Sequence, residues 1–439
     1  MKVSVAYPPL SSDKGTPLLS QNRQFQWFTN PTYIYPMVPA YAASLMASRG
    51  HVVTFDDGIA DEMSYEAFKR DLVAKAPDLV AMETKTPVVT RHWKIVADLK
   101  AALPGAAIVL MGDHVTALPR ETMENSPVDY VICGGDFDFI LADLVDHLDG
   151  RPVALPAGVW RRENGEIVDG GMGSLAHNLD ELPYIDRELI KWKRYAFKNG
   201  NFKYTPGAYV MAGRDCWWGR CTFCSWTTLF PGATYRTVSP ARHVAEIERL
   251  VNEYGIREIF DDSGCFPRGA WLEEFCNLLV AKGLHKKVVM GCNMRVGELT
   301  QAQWNLLKKA NFRFILIGLE SMSQDTLNRL KKGIKVSQIE ETVRMAKKAG
   351  LEPHITTMVG YPWETREDAR RTVDFAKSLF SRGLLNTLQA TIVVPYPGTP
   401  LFDDAKANGW LTTENWDDYD MRESVWKSPI SSSDVLQFK

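Results

Sequence analysis

The chain has 439 residues, 45% of them hydrophobic, and its 51 basic and 53 acidic residues nearly cancel to a formal charge of −2. That balance, with no Lys/Arg block, lacks the electrostatic footprint a phosphate backbone attracts and excludes nucleic acid as the expected partner. No run approaches the ~18 apolar residues of a membrane span, and Met1-Lys-Val-Ser-Val-Ala-Tyr-Pro-Pro lacks the apolar core of a secretory signal. A cytoplasmic globular protein of two or three domains is expected.

From the start to about residue 150, short β-branched runs alternate with amphipathic helical stretches, the pattern of a parallel sheet covered on both faces. Strands are predicted at 3–7, 52–56, 79–83, 107–111 and 130–133, and helices at 39–48, 65–75, 89–102, 118–125 and 137–148. This is a doubly wound, Rossmann-like domain, whose ligand belongs beyond the carboxyl ends of the strands. Those ends carry Pro8-Pro9, Asp56-Asp57, Thr84-Lys-Thr86, Gly112-Asp113-His114 and Gly134-Gly135. Residues 151–204, punctuated by Pro152, Pro156, Gly158, Gly165 and Gly170, are expected to be a linker or covering segment.

Alternation resumes over 205–400, with strands predicted at 208–212, 258–261, 288–290, 314–319, 354–359 and 389–394, each followed by a helical pattern. Six βα units make an open, partial (β/α)6 barrel, and active sites of such barrels are built from loops at the strand ends. Residues 401–439 form a C-terminal extension whose Trp410, Trp416, Tyr419 and Trp426 are expected to pack on the barrel.

The first barrel strand runs into Gly213-Arg-Asp-Cys216-Trp-Trp-Gly-Arg-Cys221-Thr-Phe-Cys224-Ser-Trp226. Thiolates this close together point to a metal site. A 4Fe-4S cubane has four irons to satisfy, and three cysteines would leave one iron open for chemistry. Structural zinc is the alternative, but it wants a fourth Cys or His, and the nearest later histidine is His243 on a predicted helix. The other cysteines, 133, 265, 276 and 292, lie singly in apolar or Gly-flanked stretches and are expected to be small buried hydrophobes without a role.

With this triplet the chain resembles a radical S-adenosylmethionine (SAM) enzyme. The likeness continues through Arg257-Glu-Ile-Phe-Asp-Asp262, Cys292-Asn-Met-Arg295, Gly318-Leu-Glu320-Ser, Met358-Val-Gly-Tyr-Pro-Trp-Glu364-Thr and Pro395-Tyr-Pro-Gly-Thr-Pro400-Leu-Phe, in order. The first half, with Tyr35-Pro-Met-Val-Pro and Gly112-Asp-His-Val-Thr-Ala-Leu-Pro119, resembles the cobalamin-binding domain found ahead of the barrel in one branch of these enzymes. That branch holds the anaerobic porphyrin-ring cyclases, the hopanoid-modifying enzymes and many C-methyltransferases. Two departures stand out. Four residues, Trp217-Trp-Gly-Arg220, separate the first two cysteines where three are usual, and the cobalt-ligating Asp-x-His-x-x-Gly segment is absent, Asp56-Asp57-Gly58-Ile59 standing in its region.

The resemblance implies that Cys216, Cys221 and Cys224 hold a 4Fe-4S cluster, whose open iron takes the amino and carboxylate groups of SAM. Reductive cleavage then gives a 5′-deoxyadenosyl radical. It implies Phe223 near the adenine, with cluster shielding as the alternative, and Arg295 and Glu320 at the SAM carboxylate and ribose, with an internal ion pair as the alternative. Ser263 is implied at the methionyl amino group. Trp217, Trp218 and Trp226 are expected around the cluster, excluding water or stacking on substrate. For the corrinoid, the candidate contacts are Thr84, Thr86, Gly112, His114, Thr116, Gly134 and Gly135. Glycine would let backbone approach a flat macrocycle closely, and His114 is alternatively an ordinary loop histidine. The expected activity is cobalamin-dependent functionalisation of an unactivated carbon, by methyl transfer or, alternatively, by ring rearrangement or cyclisation. A non-catalytic corrinoid- or zinc-binding protein is the third possibility. A small-molecule substrate, large and partly apolar, would suit the many Trp and Tyr, which core packing explains equally. An electron donor such as flavodoxin or ferredoxin is implied.

Overall fold

A computed structural model of the chain describes residues 1–19, 25–214, 216–232 and 234–438. They divide into two compact units, one of Met1–Gly200 with Ser225–Thr234 and Tyr396–Gly398, the other of the remaining segments.

In the first unit, strands β1 (Lys2–Tyr7), β2 (Val52–Asp57), β3 (Leu79–Glu83), β4 (Ala107–Met111) and β5 (Tyr130–Ile132) pair in parallel in the order β2-β1-β3-β4-β5. Val80, Met82, Ile108, Leu110 and Val131 on one face and Leu79, Ala81, Val109, Met111 and Ile132 on the other have no exposed surface, so β3, β4 and β5 are buried on both faces, as their apolar runs require. Four predicted helices appear, at Met37–Ser48, Tyr65–Lys75, Val89–Ala102 and Phe137–Leu148. Ser64 caps the second by accepting the Ala67 N–H. Residues 118–125 form a helix from Pro119 to Asn125, preceded by a short turn of helix over Asp113–Ala117. Residues 151–204, expected as linker or cover, supply two more strands. β6 (Val159–Glu163) pairs antiparallel with β5, and β7 (Glu166–Val168) pairs antiparallel with β6, widening the sheet to seven strands. Asn164, in the left-handed region at φ 49°, and Gly165 make the two-residue turn between them.

In the second unit, β8 (Gly207–Val210), β9 (Glu258–Asp261), β10 (Val289–Met294), β11 (Phe312–Glu320), β12 (Glu352–Val359) and β13 (Thr387–Ile392) pair in parallel in chain order. Such a sheet is the open wall of a partial barrel. Helices Pro240–Tyr254, Ala270–Ala281, Gln301–Lys309, Val336–Lys348 and Arg366–Ser381 make the crossovers. Capping boxes at Thr300/Gln303 and Thr365/Asp368 start two of them, and left-handed Gly255 ends the first. β8 stops two residues short of its predicted end because the Ala212 N–H leaves the ladder for Asp261 Oδ2, 2.9 Å away. The C-terminal extension packs on this unit: Trp426 donates its indole N–H to the Gly360 carbonyl at 2.8 Å and joins the barrel's apolar cluster.

Candidate active site

The cysteine loop leaves the carboxyl end of β8 through a short ribbon, Gly213–Arg214 paired with Arg236–Thr237. Beyond it, the Thr222 N–H donates to the Leu330 carbonyl at 3.0 Å, and the Thr222 carbonyl accepts from the Leu401 N–H at 2.9 Å. The loop is thus tied to the ends of two other barrel segments. Cys221, Phe223 and Cys224 pack with Leu330, Met358, Tyr361, Val393 and Trp426 at the strand ends. Cys216 meets Cys265, whose S–H hydrogen bond is the main cause pulling the Cys216 thiol down to about 6. Backbone N–H groups of Gly219 and Trp218 and the charge of Arg295 assist, while burial opposes. Burial pushes Cys221 upward against the nearby charge of Lys332. Among the described residues no three His, Cys, Asp or Glu side chains converge on a point that could hold a single metal ion. Cys216 is thus drawn toward thiolate, the form in which cysteine binds metal, while Cys221 and Cys224 lie in an apolar setting.

Around these thiols the barrel places charges in pairs. Glu320, at the end of β11, accepts from Lys332 at 2.7 Å and from Thr356 at 3.3 Å, and both members of the ion pair are buried. Its backbone sits in the left-handed region at φ 67°, where the register with β12 slips between Gly318 and Glu320. A non-glycine residue held there marks a strained position of the kind found at functional sites. Lys332 Nζ also lies 5.8 Å from the centre of the Phe223 ring. Arg295, after β10, donates to the Lys332 carbonyl at 2.8 Å, and its guanidinium stacks 4.1 Å from the Trp218 ring centre. Ser263 is buried after β9. It donates to Asp261 Oδ1 at 2.5 Å and accepts from the Gly213 N–H at 2.9 Å, while Asp261 Oδ2 lies 2.9 Å from His243 Nε2. Cys216, Cys221, Phe223, Cys224, Ser263, Arg295 and Glu320 therefore sit at one end of one sheet.

Trp217 and Trp218 belong to this neighbourhood, donating their indole N–H groups to the Phe266 and Lys331 carbonyls. Trp226 heads a helical turn grouped with the first unit and stacks on Phe230 at 5.4 Å. Lys332 and Cys265 are the participants that sequence reasoning missed. A lysine twelve residues beyond Glu320 and a lone apolar-flanked cysteine carry no spacing signal.

The carboxyl ends of β3, β4 and β5 also bring their candidates together. Thr84 pairs with His92 at 2.6 Å, and His114 Nδ1 lies 3.1 Å from Thr86 Oγ1 with the ring wholly buried. Thr116 donates to the Gly112 carbonyl at 2.7 Å and accepts from the Gly134 N–H at 3.1 Å. Lys85 and Asp113 form a buried pair at 3.1 Å. Beside them Tyr7 donates to Glu83 at 2.5 Å, and burial raises the Glu83 carboxyl to about 8, so it stays neutral at pH 7. Two glycines are committed to the protein's own packing. A Cβ on Gly112, at φ 124°, would lie 2.4 Å from the Thr84 carbonyl oxygen, and one on Gly135 would lie 2.1 Å from the Phe230 ring. Gly134, at φ 115°, has no contact that tight.

Residues 211–376 match the Radical SAM superfamily. The chain is 29% identical over 404 residues to an uncharacterized methyltransferase of Pyrococcus horikoshii, covering 91% of this chain and 85% of that one. It is 28% identical over 381 residues to the anaerobic magnesium-protoporphyrin IX monomethyl ester cyclase of Cereibacter sphaeroides, covering 84% of this chain and 60% of the cyclase. Its fold superposes with a TM-score of 0.71, at 17% identity, on the radical S-adenosylmethionine methyltransferase TsrM of Kitasatospora setae with cobalamin and a [4Fe-4S] cluster bound. That match covers 93% of this chain and 74% of TsrM.

Proposed function

We propose, for a chain whose residues 211–376 form a radical SAM domain, that it is a cobalamin-dependent enzyme transferring a methyl group to an unactivated carbon of a small molecule. The observation that carries this is a single fold likeness spanning both units, 93% of the chain, to a methyltransferase that holds both cofactors. The methyltransferase relative that aligns over 91% of the chain supports the same activity. When bound, the cluster supplies the electron that cleaves SAM, and the corrinoid supplies a methyl carrier.

The chain's own residues would divide the rest. Cys216, Cys221 and Cys224 hold the cluster, and the apolar packing of Cys221, Phe223 and Cys224 keeps water from it. Arg295 offers a fixed cation for a carboxylate, Glu320 an acceptor for ribose hydroxyls, and Ser263 a hydroxyl anchored on Asp261 for the amino group. Phe223 offers a ring for the adenine. In the first unit the row of Thr84, Thr86, Gly112, His114, Thr116, Gly134 and Gly135 would face the corrinoid. Hydrogen-bonding side chains suit its amide periphery. We place the reaction in the cytoplasm, where a flavodoxin or ferredoxin can deliver the electron.

The second reading keeps both cofactors but rearranges or cyclises a ring, and it is favoured by the cyclase relative. Anaerobically reconstituted protein with SAM, reductant and added cobalamin separates the two. Methyl transfer consumes two SAM and yields S-adenosylhomocysteine beside 5′-deoxyadenosine, whereas rearrangement yields only the latter. Absence of both products with a strong reductant sinks the two readings together and leaves a non-catalytic binding protein.

A further inference from the structure

The segment Trp217-Trp218-Gly219-Arg220, which lengthens the cysteine loop, builds more than a shield. Its two indoles interleave with three guanidinium groups. Arg268 lies 4.1 Å from the Trp217 ring centre, Arg295 lies 5.4 Å from Trp217 and 4.1 Å from Trp218, and Arg220 lies 5.3 Å from Trp218. Trp218 is fixed by its 2.8 Å hydrogen bond to the Lys331 carbonyl and by Gly333, where a Cβ would stand 2.1 Å from the indole. The turn carrying Arg329 and Lys331 runs along the loop through the bond between Thr222 and Leu330. Arg220, Arg268, Arg329 and Lys331 are exposed. Glu298 answers Arg268 and Arg295, and Asp325 answers Arg329. Among the described residues, Arg220 and Lys331 form no ion pair. Among the described residues, a chain with net charge −2 thus gathers more positive than negative charge at the rim of its cysteine loop.

We infer that this rim is the docking surface of the electron donor, a small acidic protein with a low-potential one-electron centre. The inference rests on the radical SAM reading, since only a cluster needing an outside electron gives the surface a task. One electron leaves the donor, which is oxidised by one equivalent, and enters the cluster, which is reduced by one. Carboxylates of the donor meet the guanidiniums, whose planar forks suit them, and the indoles offer flat contact area that is largely pre-ordered. Redox encounters are small and transient, and complementary charge raises their on-rate far more than their affinity.

The test is anaerobic stopped-flow reduction of the reconstituted holoenzyme, comparing the parent with Arg220→Glu, Lys331→Glu and the double variant. Reduced acidic flavodoxin and methyl viologen radical cation serve as alternative reductants. At low ionic strength the double variant should be reduced by flavodoxin about tenfold more slowly, within the range electrostatic steering commands. The gap should close toward 1 M salt, where the screening length falls to about 3 Å. Methyl viologen, a cation, should reduce the double variant as fast as the parent or faster. Lys331→Gln should give a smaller slowing with flavodoxin alone. Flavodoxin rates that are equal at every salt concentration overturn the inference, and so does equal slowing with both reductants, which would put the effect in the cluster. If the parent cleaves no SAM with either reductant, the functional reading itself has failed.

Discussion

The two sheets of this protein end in opposite chemistry. At the carboxyl edge of the first, apart from one buried ion pair of Lys85 with Asp113, polar groups are hydrogen-bonded to one another: Thr84 with His92, His114 with Thr86, Thr116 with Gly112, Tyr7 with a protonated Glu83. At the carboxyl edge of the second, groups are charged or ready to be: Cys216 drawn toward thiolate, Glu320 against Lys332, Arg295 stacked between indoles. A buried ion is costly unless paired, and a buried neutral group needs only a hydrogen bond. The first edge therefore suits a large ligand whose rim is amide, and the second suits a zwitterion and a metal cluster. Breaking that contrast position by position tests it.

The largest effect belongs to the thiols. Replacing Cys216, Cys221 or Cys224 singly by Ser should lower iron from about four per chain to below one and abolish SAM cleavage. The far-ultraviolet circular dichroism should stay that of the parent, since none of the three lies in a strand or helix. A Cys224→Ser protein that kept its full iron and sulfide would remove Cys224 from the ligand set.

Next comes the buried pair of the second edge. Glu320→Ala strands the Lys332 charge, and Lys332→Met strands Glu320, so each should cost about 3–5 kcal/mol in chemical unfolding. The double variant Glu320→Met with Lys332→Met should recover most of that, because no unpaired charge remains. Equilibrium dialysis of SAM then decides the role of Glu320. A tenfold or greater loss of affinity in the stable double variant is expected. Undiminished affinity would reduce the pair to a structural one.

These residues show what could be read in advance. The triplet, the five further strand-end fragments and most strands are local signals, a spacing or a two- or three-residue period, and the chain carries them whatever its fold. Strand ends shifted where a side chain elsewhere took over a backbone group, as Asp261 does at Ala212. The β6–β7 hairpin hid in a glycine-rich stretch because its strands alternate little and its register is set by pairing with β5. The partnerships of Glu320 with Lys332 and of Cys216 with Cys265 arise only when separate turns meet. The smallness of Gly112 and Gly135 was legible, but its cause was not: the neighbours that need the space are Thr84 and Phe230.

Gly112 supplies the next effect in size. At φ 124° and ψ −175° it occupies a region essentially closed to residues with a Cβ, and that Cβ would stand 2.4 Å from the Thr84 carbonyl oxygen. Strain and overpacking together should make Gly112→Ala cost about 2–4 kcal/mol in urea unfolding of the first unit. Corrinoid retention should fall with it, while iron content stays at the parent value, because the change touches only the first edge. Loss of iron in step with corrinoid would mean that the two edges are not separable.

The smallest effect runs in the stabilising direction and tests the first edge most directly. Burial is the main reason the Glu83 carboxyl rises from 4.5 to about 8, the charge of Lys85 and the bond from Tyr7 opposing it and Asp113 reinforcing it. Between those values the folded protein holds a proton that the unfolded chain gives up. Stability is therefore highest below about pH 4.5, falls as pH rises through the window, and levels off above about 8. Glu83→Gln keeps an acceptor for the Tyr7 hydroxyl and cannot ionise, so its contribution has no slope there. Its advantage over the parent should grow between pH 5 and pH 8 by on the order of 2 kcal/mol, about half the linkage limit, because local relaxation absorbs part of the burial penalty. Unfolding curves that stay parallel across that range would mean that Glu83 is ionised in the folded state, and the edge facing the proposed corrinoid would then be as charged as the one facing the cluster.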